Sequence, residues 1–484
     1  MFQQDPDPIA ASLLISALVA AIPIVLLFVL LGVFKVKAPF AGLAALAVAI
    51  VLAIVGWRMP VVQTLSAAGA GIFYGVFPIL WILVNALWVY KLTVATPWSE
   101  AFGRTIRSVS NDLRILSILV AFCFGALLES LAGFGAPVAI SAAMLLAAGM
   151  KPLKAAMVSL LANTAPVAFG ALAAPIFALV GVTGLPLHDL ASMAGRQTPF
   201  IAALVPLLLV FLVDGRRGVR ETWPVAVVAG VVFAIVQFVT SNFFAVELTD
   251  VFAAVATIIV VLLMLRVWHP RHEVSMGPDG EPPVVRPTLR EIAMSVAPYA
   301  VIITVFSLAQ LPAIKGWLGE VGTVTFRWPG LDVVNAAGDP VAGQDMHFDH
   351  LKATGTMLFI SGLITVALYR IRPSLAARTY GATVKQLRWT IVTVTAVLGL
   401  SFVMNLSGQT STLGTALASA GGFFVVLSPL IGWIGVAITG SDTASNSLFG
   451  QLQVTAAAAT GLPPVLMAAA NSSAGVLGKM LSLQ

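Results

Sequence analysis

Charged side chains are scarce in this sequence of 484 residues, of which only 10% are Asp, Glu, Lys or Arg. Soluble globular proteins carry about 25% charged residues. With 59% hydrophobic residues, a soluble fold would have too little polar surface to cover its apolar side chains. The composition therefore excludes an ordinary soluble protein and indicates that the lipid bilayer surrounds most of the chain.

Cysteine is almost absent as well, since Cys123 is the only one. A single cysteine allows neither a disulfide framework nor a zinc site built from several thiolates. The apolar segments also lack a Walker A loop, a dinucleotide-binding glycine motif and a zinc-type histidine cluster. We therefore expect no cofactor, no metal within the membrane and no ATP-driven pump, and we do not expect an enzyme.

Long uncharged runs are abundant instead. Residues 9–34 carry no charge, and a helix of about 20 residues crosses the hydrocarbon core. Asp5 and Asp7 precede this run, which argues against a cleaved signal peptide, because signal peptides begin with a basic region. Segments of this length must be helices, since a spanning strand is about half as long. We predict an all-α, polytopic transmembrane bundle of roughly 13 to 15 segments, including broken or re-entrant helices.

The basic residues predict an orientation for these segments. Most of the 26 lysine and arginine residues lie on one side of the membrane if the segments alternate, and an excess of positive charge marks the cytoplasmic side. One such basic stretch separates the apolar segments 197–213 and 222–246. The N-terminus is then periplasmic. The net charge of +6 is a topology signal, and no nucleic acid partner is expected.

Two polar stretches divide the chain. A first membrane half at 1–268 precedes a cytoplasmic linker at 269–290, whose residues 276–283 have the composition of a turn-rich tip. A second membrane half at 291–484 includes a periplasmic loop at 312–350. We predict that the linker and the loop are solvated connectors.

The periplasmic loop contains the residue types that could ligate a metal ion. His347 and His350 lie beside Asp345 and Asp349. Such spacing in a polar, acidic loop is weak evidence, and we predict no metal site there.

Two acidic residues interrupt apolar segments, and each has glycine and hydroxyl residues nearby. They are Glu129 and Asp442. An ionisable side chain inside the membrane costs several kcal/mol and is a functional candidate by default. Glycine and proline break helices, and free backbone groups at this depth are tolerated only where they line a cavity. We predict that Asp442, and second Glu129, carry a coupled proton. A carboxylate at a helix end near the headgroups, or in a structural pair, is the alternative.

A weak internal repeat surrounds the two acids. In each copy an acid is followed by an apolar stretch, a Gly-Pro turn, another apolar stretch and an Asn with a hydroxyl residue: Glu129, Gly149, Pro152, Asn163 and Thr164 in the first; Asp442, Gly461, Pro463, Asn471 and Ser472 in the second. Transporters often build a midplane site from such repeats, which are commonly inverted. We predict that the Asn-Thr and Asn-Ser pairs bind a carboxylate, with packing between helices as the alternative.

Three further polar residues are candidates for contact with a substrate. Gln409 and Ser411 lie in a polar insert that reads either as a helix break or as a short loop. Arg196 begins an apolar segment, where an arginine could pair with a carboxylate or snorkel to the interface.

Several motifs at these positions resemble the lactate permease family. They lie at 122–126 (FCFGA), 132–140 (AGFGAPVAI), 162–171 (ANTAPVAFGA), 195–197 (GRQ), 440–443 (GSDT), 469–475 (AANSSAG) and 478–480 (GKM). The resemblance covers nearly the whole chain. It implies uptake of L-lactate, D-lactate or glycolate with a proton across the bacterial inner membrane. It also implies inverted repeats with broken helices and re-entrant hairpins.

The sequence departs from the family pattern in two places. The family usually has Glu-Gly-Ala-Ala-Gly-Phe-Gly where residues 129–135 read Glu-Ser-Leu-Ala-Gly-Phe-Gly. Relatives continue after Gly-Lys-Met with Ile-Ser-Pro-Gln and a further span, whereas residues 481–484 read Leu-Ser-Leu-Gln. Either the chain is truncated or it lacks the closing helix, which leaves open whether the second repeat is complete.

The working hypothesis is symport of one proton with one small 2-hydroxy monocarboxylate by alternating access. In it, Gln409 and Ser411 reach the 2-hydroxyl group. Sodium coupling stays open, because hydroxyl-rich and carbonyl-rich helix breaks also suit Na⁺. An anion channel is a different class that the residues alone do not exclude.

Overall fold

A computed structural model describes residues 1–98, 110, 112–133, 136–274 and 288–482. Helices dominate these residues, so the predicted all-α transmembrane architecture is confirmed. The proposed turn-rich tip at 276–283, and residues 134–135 of the glycine motif, lie outside the described residues.

The helices up to the linker are α1 (Leu13–Gly32), α2 (Ala38–Val55), α3 (Val61–Tyr74), α4 (Trp81–Val94), α5 (Leu113–Leu116), α6 (Gly125–Ala132), α7 (Ala136–Ala147), α8 (Pro152–Asn163), α9 (Gly170–Thr183), α10 (Leu187–Phe243) and α11 (Thr249–Met264). Wider π-type turns at Gly75–Leu80 and Ser117–Phe124 join α3 to α4 and α5 to α6.

After the linker come α12 (Leu289–Ala309), α13 (Pro312–Val321), α14 (Thr354–Leu368), α15 (Pro373–Ser407), α16 (Gln409–Ala418), α17 (Phe424–Thr439), α18 (Asp442–Thr460) and α19 (Pro464–Gly478). Short strands are β1 (Phe2–Gln3), β2 (Val324–Arg327), β3 (Val333–Val334) and β4 (Asp345–Phe348).

Nine helices of the described part are long and apolar enough to cross a membrane, or up to ten if a bent pair forms one span. This is fewer than the 13 to 15 segments predicted. One reason is that α10 runs for 57 residues and contains the predicted segment 197–213 together with most of the predicted segment 222–246. The other is that several apolar helices, such as α7 and α14, are shorter than a span.

The two arms of α10 pack against each other in opposite directions. Thr198 Oγ1 donates to Gln237 Oε1 at 3.1 Å, so the chain folds back between them. The turn is Asp214–Gly215, where Gly215 has φ of 62°, a conformation that favours glycine. The basic stretch predicted as a loop is therefore a tight helical turn, and its arginines lie at the start of the second arm.

Two helical hairpins place described residues beside their turns, Gly133 and Gly440, in the interior of the bundle. In the first, α7 returns along the segment that leads into α6, as Ser141 Oγ donates to Val120 O at 3.4 Å. With 12 residues, α7 is about 18 Å long and too short for a hydrocarbon core of about 30 Å. In the second hairpin, α18 returns along α17, as Ser445 Oγ donates to Gly432 O at 3.3 Å.

A helix break follows Asn163, whereas α19 continues without a break through Asn471 and Ser472. The helical stretches Pro152–Ala162 and Val167–Thr183 are bent by 64°, and Pro166 lies in the bend. α9 then runs parallel to α18, since Asn446 Nδ2 donates to Pro175 O at 3.1 Å and Gly450 faces Leu179. The bend thus carries the chain from one hairpin to the other.

The two stretches predicted as repeats have similar glycine turns before a proline-led helix, but the acid lies at a different place relative to the hairpin turn. Gly149 and Gly461, with φ of 91° and 73°, end α7 and α18, and a proline-led helix follows each. Glu129 precedes the turn of its hairpin, whereas Asp442 follows the turn of the other. The inverted repeat stays a prediction.

The loop at 312–350 is more ordered than the solvated connector that was predicted. It contains α13 and an antiparallel pair of strands, β2 and β4, while β3 pairs in parallel with β1 from the N-terminus. The N-terminus and this loop therefore lie on the same face of the bundle. Within the described residues, no group of three or more His, Cys, Asp or Glu is placed to hold a metal ion.

Candidate functional site

Glu129 lies in the last turn of α6, just before the first hairpin turns. Its side chain is 4% exposed. The helix ends because Gly133 adopts φ of 50°, which favours a residue without a side chain. Gly170 faces the carboxyl group so closely that a Cβ there would lie 3.0 Å from Glu129 Oε1. The sequence thus keeps small residues around this acid and leaves space beside it.

Asp442 is the first residue of α18, directly after the turn of the second hairpin. Gly440 takes φ of 72°, and Ser441 caps the helix by accepting a hydrogen bond from Ala444 N at 3.2 Å. The Asp442 side chain is 3% exposed. Its Oδ2 accepts a hydrogen bond from Ser472 Oγ at 2.6 Å, while Oδ1 has no partner within the described part.

The two acids line one cavity. This cavity has a volume of about 30 Å³, which is enough for about one water molecule. Its walls come from both hairpins, from α9 and from the segment after α19: Glu129, Gly133, Val167, Gly170, Ala171, Pro175, Gly440, Ser441, Asp442, Thr443 and Lys479. Acids that are more than 300 positions apart in the sequence therefore meet in a single polar pocket.

Lys479 is the cation of this cavity. Its side chain is 4% exposed, and its Nζ donates to Gly440 O at the turn of the second hairpin, at 2.7 Å. It is close enough to Glu129 and Asp442 for its charge to interact with both. Coulomb attraction between such groups is stronger inside a protein than in water. The lysine thus links the two acids electrostatically.

The wall formed by α9 has an unusual backbone. Ala171, Leu172 and Ala173 have φ of 45°, 49° and 64°. Residues with a Cβ pay about 1–2 kcal/mol each for this left-handed conformation. All three side chains are buried. Strain of this kind persists only where the surrounding structure imposes it, and it concentrates at functional sites.

Comparison with known proteins identifies the family. The model of the L-lactate permease family matches residues 16–484. The chain belongs to the L-lactate permease family.

Individual relatives match over nearly their whole length. Glycolate permease GlcA of Escherichia coli (strain K12) is 40% identical over 97% of this chain and 88% of the relative. L-lactate permease of Bacillus subtilis (strain 168) is 38% identical over 99% of this chain and 91% of its own. L-lactate permease of Salmonella typhimurium is 39% identical over 100% and 91%. The chain is thus a multi-pass membrane transporter of the lactate and glycolate permease family rather than an enzyme.

In this family member, Asn163 and Thr164 lie at the break between α8 and α9. Asn163 is close enough to Glu129 to interact with it. However, neither Nδ2 nor Oδ1 of Asn163 makes a hydrogen bond of standard geometry in the described part, and the same holds for Thr164 Oγ1. Both residues are buried. Buried polar atoms without partners are rare, so this pair has hydrogen-bonding capacity available to a ligand or to water.

Asn471 and Ser472, the matching pair of the second predicted repeat, lie within α19 of the permease and are already bonded. Ser472 donates to Asp442, and Asn471 Nδ2 donates to Asn446 Oδ1 at 2.9 Å. Gln453 Nε2 donates to Asn471 Oδ1 at 3.2 Å. These side chains hold Asp442 and the helices around it in position.

The other three predicted contact residues do not line the small cavity. Gln409 Nε2 donates to Ala49 O of α2 at 3.0 Å, and Ser411 follows it in α16. Arg196 is exposed on α10, and its Nε donates to Asn242 Oδ1 at 3.0 Å. The structure therefore groups Glu129 with Asp442, and places Gln409, Ser411 and Arg196 elsewhere in the permease.

Sequence reasoning missed Lys479 and Asp250. Asp250, in the first turn of α11, is fully buried, and its charge interacts with that of Glu129. Its Oδ1 accepts a hydrogen bond from Gln237 Nε2 at 3.0 Å, and Oδ2 has no partner in the described residues. The rule that found Glu129, an acid beside a long apolar run, also applies to Asp250. Lys479 lies in the GKM motif, which was a second available signal.

A larger cavity of about 600 Å³ lies beneath the extramembrane loop of the permease. Most of its lining residues are apolar, and none of the predicted proton or substrate residues takes part. Its charged lining residues are Glu247, Lys315, Asp345, Asp349 and Lys352. α9 contributes to both cavities, with Pro175 at the small one and Phe177 at the large one. The small and the large cavity are therefore lined by residues only two positions apart on the same helix.

Proposed function

We propose that this transporter moves a small 2-hydroxy monocarboxylate, L-lactate, D-lactate or glycolate, together with a proton across the bacterial inner membrane. The observation that carries the proposal is the cavity in which two buried acids, Glu129 and Asp442, face one lysine. The printed names of the relatives, L-lactate permease and glycolate permease, support the substrate class. The N-terminus and the loop at 312–350 are then on the periplasmic side.

Charge balance in the cavity gives the reason for coupling. With both acids ionised, Lys479 compensates only one of them, and a bound monocarboxylate would add a further negative charge. Desolvated like charges at short range repel strongly. A proton on Asp442 or Glu129 removes this repulsion. Entry of the anion and uptake of the proton therefore favour each other, which is thermodynamic linkage between two ligands.

Asp442 is the first choice for the proton and Glu129 the second. Asp442 lies at a hairpin turn, and Ser472 holds one of its oxygen atoms while the other has no partner in the described part. Asn163 and Thr164 supply hydrogen-bonding groups for the substrate beside Glu129. Asn471 and Ser472 contribute by positioning Asp442.

The size of the cavity supports a cycle with alternating access. A space of about 30 Å³ holds about one water molecule, and a hydroxy acid with several non-hydrogen atoms does not fit. The walls must separate to admit substrate, and the larger cavity above Phe177 is the route from one face. We propose that the transporter passes through this closed state between its two open states.

The test is uptake of radiolabelled L-lactate into sodium-free proteoliposomes with and without an inward proton gradient. For symport of one proton with one monocarboxylate, a gradient of one pH unit supports about tenfold accumulation. Asp442→Asn should abolish this accumulation and retain exchange of lactate across the membrane. Asp189→Asn, which changes an exposed acid outside the cavity, is the matched control, and protein-free liposomes correct for diffusion of the neutral acid.

Each outcome is informative. Unchanged accumulation by Asp442→Asn removes Asp442 from the proton role and moves the test to Glu129→Gln. Accumulation that requires sodium at constant pH replaces the proton with Na⁺. Uptake that never exceeds the electrochemical gradient of lactate and does not saturate makes the protein an anion channel.

A further inference from the structure

We propose that Lys479 is the receptor for the substrate carboxylate, and that its ammonium group passes from the cavity acids to the substrate when these acids take up the proton. The proposal deepens the proposed function and rests on it for the identity of the substrate class. No comparison assigns a role to Lys479. In the proposed role the ammonium group of Lys479 holds the anion, and its release from the acids explains why binding requires a proton.

The first argument is the position of the ammonium group. Lys479 follows α19 in a short 3₁₀ turn, Lys479–Leu481, and its side chain is almost fully buried. A buried cation in the membrane interior is costly unless it is paired. Here it lies within electrostatic range of Glu129 and Asp442 and donates to Gly440 O. The ammonium group therefore lies in the same cavity as the proposed proton carriers.

The second argument is what happens when one of these partners is neutralised. A protonated Asp442 or Glu129 no longer offsets the charge of Lys479 in full, and a monocarboxylate restores the lost negative charge in the same cavity. A lysine suits this exchange, because its ammonium is a point charge with three donors on a flexible stem. It can turn from one acceptor to another without a fixed planar geometry.

The third argument is the set of unpartnered atoms around the lysine. Glu129 Oε2 and Asp442 Oδ1 are buried and have no hydrogen-bond partner within the described residues. With the substrate carboxylate at Lys479, a neighbouring hydroxyl group can donate to one of these oxygens. A cation and a free acceptor in one cavity match the carboxylate and the 2-hydroxyl of a 2-hydroxy acid. The cavity therefore offers one group for each of the two polar functions of a 2-hydroxy monocarboxylate.

The experiment compares a charged ligand with a neutral one. The full chain in lipid nanodiscs at mildly acidic pH is titrated with L-lactate and with L-lactamide, which replaces the carboxylate by an uncharged amide. We expect the wild-type chain to prefer lactate by about 30-fold or more, the range typical of a buried charge pair. Lys479→Gln should lose this preference to within about 3-fold. Lys479→Arg should keep most of it, because the charge remains.

A matched control is available elsewhere in the chain. Lys154 Nζ also donates to a backbone carbonyl, Val213 O at 2.8 Å, but Lys154 does not line the cavity. Lys154→Gln should leave the preference for lactate unchanged. If Lys479→Gln does not fold, the double variant Lys479→Gln/Asp442→Asn removes a charge of each sign and should fold while still losing the preference.

A wild-type preference for lactate that survives in Lys479→Gln, or in the double variant, overturns the proposal. Equal loss of affinity for lactate and lactamide also overturns it, because it would mean that the lysine only supports the structure. The proposed function fails in a different way. If uptake is driven by sodium, proton coupling is wrong, yet the lactate preference still reports on Lys479.

Discussion

Replacing Arg114 by methionine should destabilise the folded protein more than any other loss of a single basic residue outside the cavity. Arg114 is fully buried at the start of α5. Its guanidinium group binds Asp112 through Nε and Nη2, at 3.0 Å and 2.7 Å. Nη1 reaches Asp214 at 3.1 Å and Glu221 at 2.8 Å. It therefore joins α5 to the turn between the two arms of α10.

The magnitude follows from what the substitution leaves behind. Asp112 is also fully buried, and without Arg114 its charge has lost its partner. Removing one member of a buried ion pair costs about 3–5 kcal/mol, mainly because the remaining charge stays buried. Arg217 is the control, because it is 58% exposed and contacts Glu221 at 3.1 Å. An exposed pair of this kind contributes about 0–1 kcal/mol.

The free energy of unfolding is measured for the purified full chain in mixed micelles by denaturant titration. Arg114→Met should lose about 3–5 kcal/mol and Arg217→Met about 1 kcal/mol or less. Adding Asp112→Asn to Arg114→Met should recover part of the loss, because the amide is neutral. Equal effects of Arg114→Met and Arg217→Met would refute the reasoning, as would a failure of Asp112→Asn to recover any stability.

Two further substitutions test the packing that holds the site. In Gly432→Ala, the added Cβ would lie 2.1 Å from Asn471 O, so α17 and α19 must separate and stability should fall by about 1–3 kcal/mol. Gly381→Ala, where nothing lies within 4 Å, should be neutral or slightly stabilising, and an equal fall in melting temperature for both variants would contradict this packing. Asp250→Asn should retain stability, because the amide oxygen still accepts from Gln237 Nε2. Asp250→Leu leaves Gln237 Nε2 with only its longer bond to Ala165 O, at 3.4 Å, and should cost about 1–3 kcal/mol. A denaturant titration that ranks Asn below Leu would show that the carboxylate itself is required.

The helices could be predicted because a long apolar composition leaves the backbone only one way to satisfy its hydrogen bonds. Backbone groups in lipid must bond within their own segment, so a long uncharged run such as 9–34 has no alternative to a helix. Glu129 and Asp442 were predicted for a similar reason, since an acid beside such a run is costly unless the structure uses it. That they share a cavity was not predictable in detail, because it depends on how two hairpins approach each other.

The elements that the sequence did not reveal depend on distant partners. β1 pairs with β3, more than 300 positions away, so the loop at 312–350 was predicted only as a solvated connector. The turn at Asp214–Gly215 is followed directly by basic residues. This stretch was predicted as a loop, so the continuity of the two arms of α10 was not evident. Lys479 was overlooked because its depth in the membrane depends on α19. A lysine ordinarily lies at the surface, whereas Lys479 is buried and donates to Gly440 O.

The cavity exists only while separate parts of the chain are together. Glu129 comes from the first hairpin, Asp442 and Gly440 from the second, and Lys479 from the segment after α19. Movement of one hairpin away from the other separates Glu129 from Asp442 and opens the space between them. The same movement admits water, which weakens attraction between charges and stabilises an ionised carboxyl group. In the proposed mechanism, release of the anion and release of the proton are therefore favoured by one displacement. This is the physical requirement for coupled transport through a site that neither hairpin forms alone.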